Sequence, residues 1–209
     1  MGFLDKLKNA ANMASEQLAK ANEEKKKAEL DKYAKDVPVQ NLPIIGFVRG
    51  FAGLENLQGA QLCLDGENDR VYIRIKAEKG PYKYSNVGGY DIDSFIELRY
   101  TNSEVRKMSS MTMYIDYFEL VHSNSHDIQF SVTTTSYDAN SNEIPQLGNF
   151  DKKARLNLIY PFIDVITDEA TKSWVNEFSQ RNELLPLFDE NGEVFIDNMK
   201  KNADMLCSE

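Results

Sequence analysis

Leu62-Cys63-Leu64-Asp65-Gly66-Glu67-Asn68-Asp69-Arg70-Val71-Tyr72-Ile73-Arg74-Ile75-Lys76 is the stretch that decides how the chain is read. Val71, Ile73 and Ile75 alternate with Arg70, Tyr72, Arg74 and Lys76. A period of two belongs to a strand with one face on a core and the other toward water. Leu62 and Leu64 show the same period ahead of the turn-rich Asp65–Asp69 connection, so the stretch predicts a β-hairpin.

The same period runs outward from this hairpin. It begins at Ile44, and Gly88-Gly89 is expected to break it. Ile96, Leu98 and Tyr100 are then expected on one face, with Glu97 and Arg99 on the other. Met111 to Val121 reads as a longer strand whose apolar parity slips at Tyr117-Phe118, which signals a β-bulge or burial on both faces. Ile128, Phe130 and Val132 continue the alternation, Tyr137 to Phe150 reads as a polar loop, and Leu156 and Leu158 are expected to open a last strand toward Ile166.

Both ends change to helical spacing. Phe3, Leu4, Leu7, Ala11, Ala14 and Leu18 fall within an arc of about 100°, which predicts an amphipathic helix from residue 3 to about 34. Glu23-Glu24-Lys25-Lys26-Lys27 reads as its solvated continuation, and Pro38 and Pro43 end it. Near the other end, Thr167 or Asp168 caps a helix in which Ala170, Trp174, Val175 and Phe178 share a face, Trp174 and Phe178 being its core anchors. Asp189 to Gly192 is a turn, and Val194 to Leu206 a short terminal helix. The organisation expected is an amino-terminal helix over 1–36, a linker over 37–43, a β-rich domain with a closing helix over 44–185, and a terminal turn and helix over 186–209. The fold class is α+β with a mostly antiparallel sheet.

Some six strands opened by a meander and closed by an amphipathic helix with a buried Trp resemble the pleckstrin-homology-like superfold. The likeness spans roughly residues 44–183. It rests on the hairpin Leu62–Ile75, on Tyr90-Asp91-Ile92-Asp93-Ser94-Phe95-Ile96, and on Lys172-Ser173-Trp174-Val175. It is closer to the bacterial and GRAM-type members than to those that bind phosphoinositides. It implies a PH-like barrel, and a β-sandwich gives similar strings. Phosphoinositide-binding members place several Lys and Arg around the first hairpin loop. Here that loop carries Asp65, Glu67 and Asp69, with Arg70, Arg74 and Lys76 nearby, so headgroup recognition is not carried over.

Composition narrows the function classes. The 209 residues suffice for one sizeable core, and no apolar run reaches the roughly 20 residues of a membrane span. Residues 1–35 hold 8 lysines against 6 acids, a net of +2, while the remainder holds 16 basic against 27 acidic residues, a net of −11. An acidic body repels a phosphate backbone, so nucleic acid is not an expected partner. The first segment lacks the apolar block of a secretory signal, and the two cysteines, Cys63 and Cys207, read as free thiols of a reducing compartment. A cytoplasmic protein with possible peripheral membrane contact is expected.

No catalytic, cofactor-binding or metal-binding residue is nominated. His122 and His126 flank Ser123-Asn124-Ser125, which reads as a turn and not as the helix an i,i+4 metal pair needs. Asp138, Asn140 and Asn142 imitate a calcium loop, but Glu143 stands where its glycine belongs and Asn149 where its bidentate carboxylate belongs. No nucleophile elbow or phosphate loop is present. The sharpest feature is Phe3, Leu4 and Leu7 flanked by Lys6 and Lys8. These residues either contact a membrane or partner or pack on the protein itself. The leading expectation is a non-enzymatic adaptor that engages a protein partner or a second copy. An enzyme or small-ligand binder with dispersed polar residues, and a structural subunit of a larger assembly, remain open.

Overall fold

A computed structural model of the chain describes residues 39–51, 59–78, 80–124, 127–137 and 145–207. The helix expected over 1–36 lies outside them. The described fold is α+β. Its strands are β1 (Ile44–Phe51), β2 (Gln61–Asp65), β3 (Arg70–Lys76), β4 (Tyr84–Asp91), β5 (Phe95–Met108), β6 (Met111–His122) and β7 (Ile128–Ser136). Three helices follow, α1 (Asn149–Ile159), α2 (Glu169–Arg181) and α3 (Ile196–Cys207), with a 3₁₀ stretch at Tyr160–Val165 between the first two.

The strands form one antiparallel sheet in the order β4-β3-β2-β1-β7-β6-β5. β4 and β5 stand at opposite edges, yet only the 3₁₀ turn Ile92–Ser94 separates them along the chain. So short a join forces the sheet to curl until its edges meet at one corner. There the Tyr90 ring lies 6.1 Å from Phe95 and 5.6 Å from His122, in both cases edge-on. Ile92 N donates to Asp69 O and Ser123 N to Ser94 O, each at 2.9 Å.

The barrel expectation is corrected at this corner. Closure requires the two edge strands to pair along their length, and β4 and β5 form no ladder among the described residues. After the 3₁₀ turn, a register shift between Phe95 and Glu97 redirects β5. The same shift reverses one facing assignment: Phe95 is buried, while Ile96 is 58% exposed.

Two other expectations change. Gly88-Gly89 lies inside β4 and does not break it. These residues face the large rings of β3 and β4. A Cβ on Gly89 would stand 2.7 Å from the Tyr72 ring, and one on Gly88 would stand 3.3 Å from that of Tyr90. Glycine here makes room for a cross-strand tyrosine. The strand expected from Leu156 is helix α1 followed by the 3₁₀ stretch. Its buried residues are Arg155, Leu156, Leu158 and Ile159, which is i,i+3 spacing. At Tyr117-Phe118 β6 itself carries no extra residue, and its register with β7 is unshifted from Thr112 to Leu120. The consecutive Tyr114 and Ile115 are both buried, so the strand is covered on both faces there, while the bulge lies across the ladder. Tyr100 pairs with Phe118 and Asn102 with Tyr117, so Thr101 is the extra residue, and it lies in β5.

The core lies between the curled sheet and the helices. Val71, Ile73, Leu98, Phe118, Leu120 and Phe130 from the sheet meet Leu156, Phe162, Trp174, Val175 and Phe178. Asp168 caps α2, its Oδ1 accepting from Thr171 N at 2.9 Å. Trp174 stands edge-on to Phe118 at 4.8 Å and stacks on Phe178 at 5.8 Å. Three buried or half-buried asparagines fasten the carboxy-terminal part. Asn176 Oδ1 accepts from Leu187 N and Phe188 N, Asn182 Oδ1 from Leu147 N, and Asn202 Oδ1 from Leu185 N.

Candidate functional site

Two surfaces have the build of binding sites. One is a groove of about 670 Å³ between β1 and α1. Leu42 and Pro43 lead into it, Ile44 to Phe47 form one wall, and Phe150 to Asn157 of α1 form the other. Phe150 is 85% exposed and Phe47 44% exposed, so the rim offers aromatic surface to the exterior. Gly46 lets β1 lie close to the core, since a Cβ there would stand 2.4 Å from the Phe130 ring.

Two arginines line this groove, and their surroundings differ. Arg74 is buried and held at two of its nitrogens: Nε donates to Gln61 Oε1 at 2.9 Å, and Nη1 donates to the carbonyls of Val39 and Gln40. Its guanidinium also lies over the Tyr84 ring at 4.1 Å. Arg155, on α1, is buried too, but its hydrogen bonding is a single contact, Nη2 to Thr134 Oγ1 at 2.6 Å. No carboxylate lies within ion-pair distance of it among the described residues. Burial pushes its pKa down, opposed by the fields of Asp116 and Asp151. A guanidinium stays charged in proteins, so an anion is the natural complement of this group.

The second surface is the outer edge of β5. Its first half is covered: Tyr100 N donates to Thr171 Oγ1 of α2 at 2.6 Å, and Tyr100 stacks on Trp174. Beyond the bulge the covering ends. Residues 101–110 are exposed except for the half-buried Glu104, and the apolar Val105 and Met108 are each 53% exposed. An exposed strand edge with apolar side chains is a template for pairing with another chain.

The sheet face beside this edge is polar and internally paired. Arg106 Nε donates to Glu104 at 2.7 Å, Tyr117 OH donates to Glu104 at 2.6 Å, and Arg49 lies over the Tyr117 ring at 4.3 Å. The Arg106 and Tyr117 hydrogen bonds together hold the Glu104 carboxyl down at about 2. Arg99 likewise binds Glu97 and Glu119. Exposed pairs of this kind are screened by solvent and organise a solvated face.

No protein-family model, curated protein or solved structure matches this chain.

Phe3, Leu4, Lys6, Leu7 and Lys8 lie outside the described residues, as do His126, Asp138, Asn140, Asn142 and Glu143. Trp174 and Phe178 sit in α2 against the sheet; Trp174 stacks on Tyr100 where α2 covers the first half of the β5 edge, and neither residue lines the groove. His122 ends β6; its Nδ1 accepts from Asn124 N at 3.0 Å and its ring meets Tyr90 and Phe95. Among the described residues no group of three His, Cys, Asp or Glu is placed to hold a metal ion. Cys63 is buried in β2, where desolvation raises its thiol to about 11 against the opposing field of Arg74, while Cys207 is exposed at the end of α3. Arg155 was missed from sequence because a charged residue counts as outward in any hydrophobic pattern. The β5 edge had a partial signal in the over-long apolar spacing from Ile96 to Met113.

Proposed function

We propose that the chain is a non-enzymatic adaptor, a PH-like β domain that offers a strand edge to a protein partner or to a second copy of itself. The observation that carries this is the exposed outer edge of β5 beyond Thr101, with Val105 and Met108 turned to the exterior. Such an edge supplies main-chain hydrogen bonds for affinity and alternating side chains for selectivity. Methionine suits this use because its unbranched thioether adapts to varied partners. The PH-like assignment draws support from the strand meander wound back on itself and from the Trp-bearing helix over its end. One departure is that three helices follow the last strand among the described residues, and two of them, α1 and α2, lie within the span where the resemblance implies one.

In this reading Phe3, Leu4 and Leu7, with Lys6 and Lys8, tether the domain to a membrane surface or an assembly. Two measurements on the full chain test it. Light scattering across a concentration series reads self-association, and a Val105→Lys, Met108→Lys variant is expected to lower the apparent mass at high concentration. Co-sedimentation with phosphatidylcholine–phosphatidylserine vesicles reads the tether, and a Phe3→Glu, Leu7→Glu variant is expected to remain in the supernatant. A chain that is monomeric throughout and unaffected by either change in both assays sinks the adaptor account.

A further inference from the structure

We propose that the groove between β1 and α1 binds an anionic amphiphile, an unbranched apolar chain ending in a carboxylate or phosphate, with Arg155 receiving the head. Four observations converge. The groove has about 670 Å³ of space, within the roughly 300–1,000 Å³ typical of small-ligand pockets. Its walls are dominated by Leu42, Pro43, Ile44, Ile45 and Phe47, which suit a hydrocarbon chain.

The third observation is Arg155. It is 8% exposed and lines the groove, with one hydrogen bond, to Thr134, for a group that carries five N–H donors. None of its nitrogens is buried without a partner, so the donors that Thr134 leaves free are accessible, and a bidentate carboxylate or phosphate oxygen pair fits the guanidinium fork. The fourth is the sign of the lining. Arg74, Lys153 and Arg155 line it with one acid, Asp151, which is exposed one helical turn before Arg155, while Asp116, outside the lining, adds the second carboxylate field that acts on Arg155. A locally cationic groove on a chain of net charge −9 concentrates small anions there.

The proposal does not depend on the β5-edge reading, because the two sites share no residue.

Isothermal titration of the full chain with four ten-carbon probes tests it: decanoate, decyl phosphate, decanol and decyltrimethylammonium, each below its micelle concentration. Decanoate or decyl phosphate is expected to bind one to one, at least about tenfold tighter than decanol. The cationic probe is expected not to bind. The ratio of the first two distinguishes a fatty carboxylate from a phosphate-headed lipid. Arg155→Met is expected to bring the preferred anion to the affinity of decanol. Phe150→Asp, at an exposed rim position, is expected to weaken the anionic probes about tenfold and decanol less. Equal affinity for decanoate, decyl phosphate and decanol overturns the proposal, as does an absence of saturable binding by either anion. A preference for the anion that survives in Arg155→Met also overturns it. Should Arg155→Met fail to fold, Phe150→Asp decides, and unchanged affinity for both anions then overturns it.

Discussion

Asn202→Ala tests how the carboxy-terminal helix is held. Asn202 is the buried residue of α3, fully inaccessible, and it works as a two-pronged clasp. Its Oδ1 accepts from Leu185 N at 2.8 Å and its Nδ2 donates to Leu185 O at 2.9 Å. Each neutral hydrogen bond contributes about 1 kcal/mol net, and a backbone group left without a partner adds about 1–3 kcal/mol when buried. Leu185 is half-buried, so water restores part of that loss, and the substitution is expected to cost about 3 kcal/mol. For a chain of this size that lowers Tm by roughly 6–12 °C. Urea denaturation followed by circular dichroism measures it directly. Asn202→Asp sharpens the test, since it keeps the bond from Leu185 N, loses the bond to Leu185 O and buries a carboxylate. Burial raises the pKa of such a group, so this variant is expected to recover stability as pH falls. A loss below about 0.5 kcal/mol in Asn202→Ala would show that α3 is held without this clasp, and the reasoning would be refuted.

Gly89→Ala is expected to destabilise by about 1–3 kcal/mol, because its Cβ would meet the Tyr72 ring at 2.7 Å, and Tyr72→Ala in the same chain should relieve most of the added strain. Thr171→Val keeps the shape of a fully buried side chain but removes the acceptor for Tyr100 N; chemical denaturation should show a loss of about 1–2 kcal/mol. Iodoacetamide at pH 8 should label the native chain at Cys207 alone, and mass spectrometry after denaturation should then find a second reactive thiol at Cys63. The folded state favours the neutral Cys63 thiol, so its contribution is fully present below pH 9 and declines as pH rises toward about 11. Cys63→Ala should remove that component from the alkaline stability profile, and an unchanged profile would contradict the burial argument.

The parts of the fold legible in the sequence are those where one physical signal dominates. The β2–β3 hairpin follows from strict alternation around Asp65–Asp69, and α2 from a capping Asp168 ahead of Trp174, Val175 and Phe178. Misreadings fall where two signals compete. Gly88-Gly89 carries the composition of a break, but its spacing serves the rings of Tyr72 and Tyr90, which come together only once β3 and β4 pair. Leu156-Asn157-Leu158 alternates over three residues, whereas the helical face of α1 becomes visible only when Arg155 is counted as inward. The sheet's curl is implied by the resemblance to a barrel but not by local pattern: it follows from β4 and β5 being edge strands joined by three residues, a property of topology. Of the candidate surfaces, the exposed part of the β5 edge lies beyond Tyr100, past the alternation legible in the sequence, and the groove turns on Arg155, whose charge gives no inward signal in a hydrophobic pattern.

The segment just ahead of β1 has a mechanical consequence. Gln40 Nε2 donates to Tyr84 O at 2.6 Å while Gln40 Oε1 accepts from Tyr84 N at 3.0 Å, so one side chain grips the start of β4 from both sides. Arg74 of β3 simultaneously holds the carbonyls of Val39 and Gln40. Tension applied through the chain ahead of Val39 is therefore delivered to two adjacent strands at once, as shear across a hydrogen-bonded lap joint. A load shared in this way spares the Ile44–Phe51 strand from being peeled off its neighbours one bond at a time.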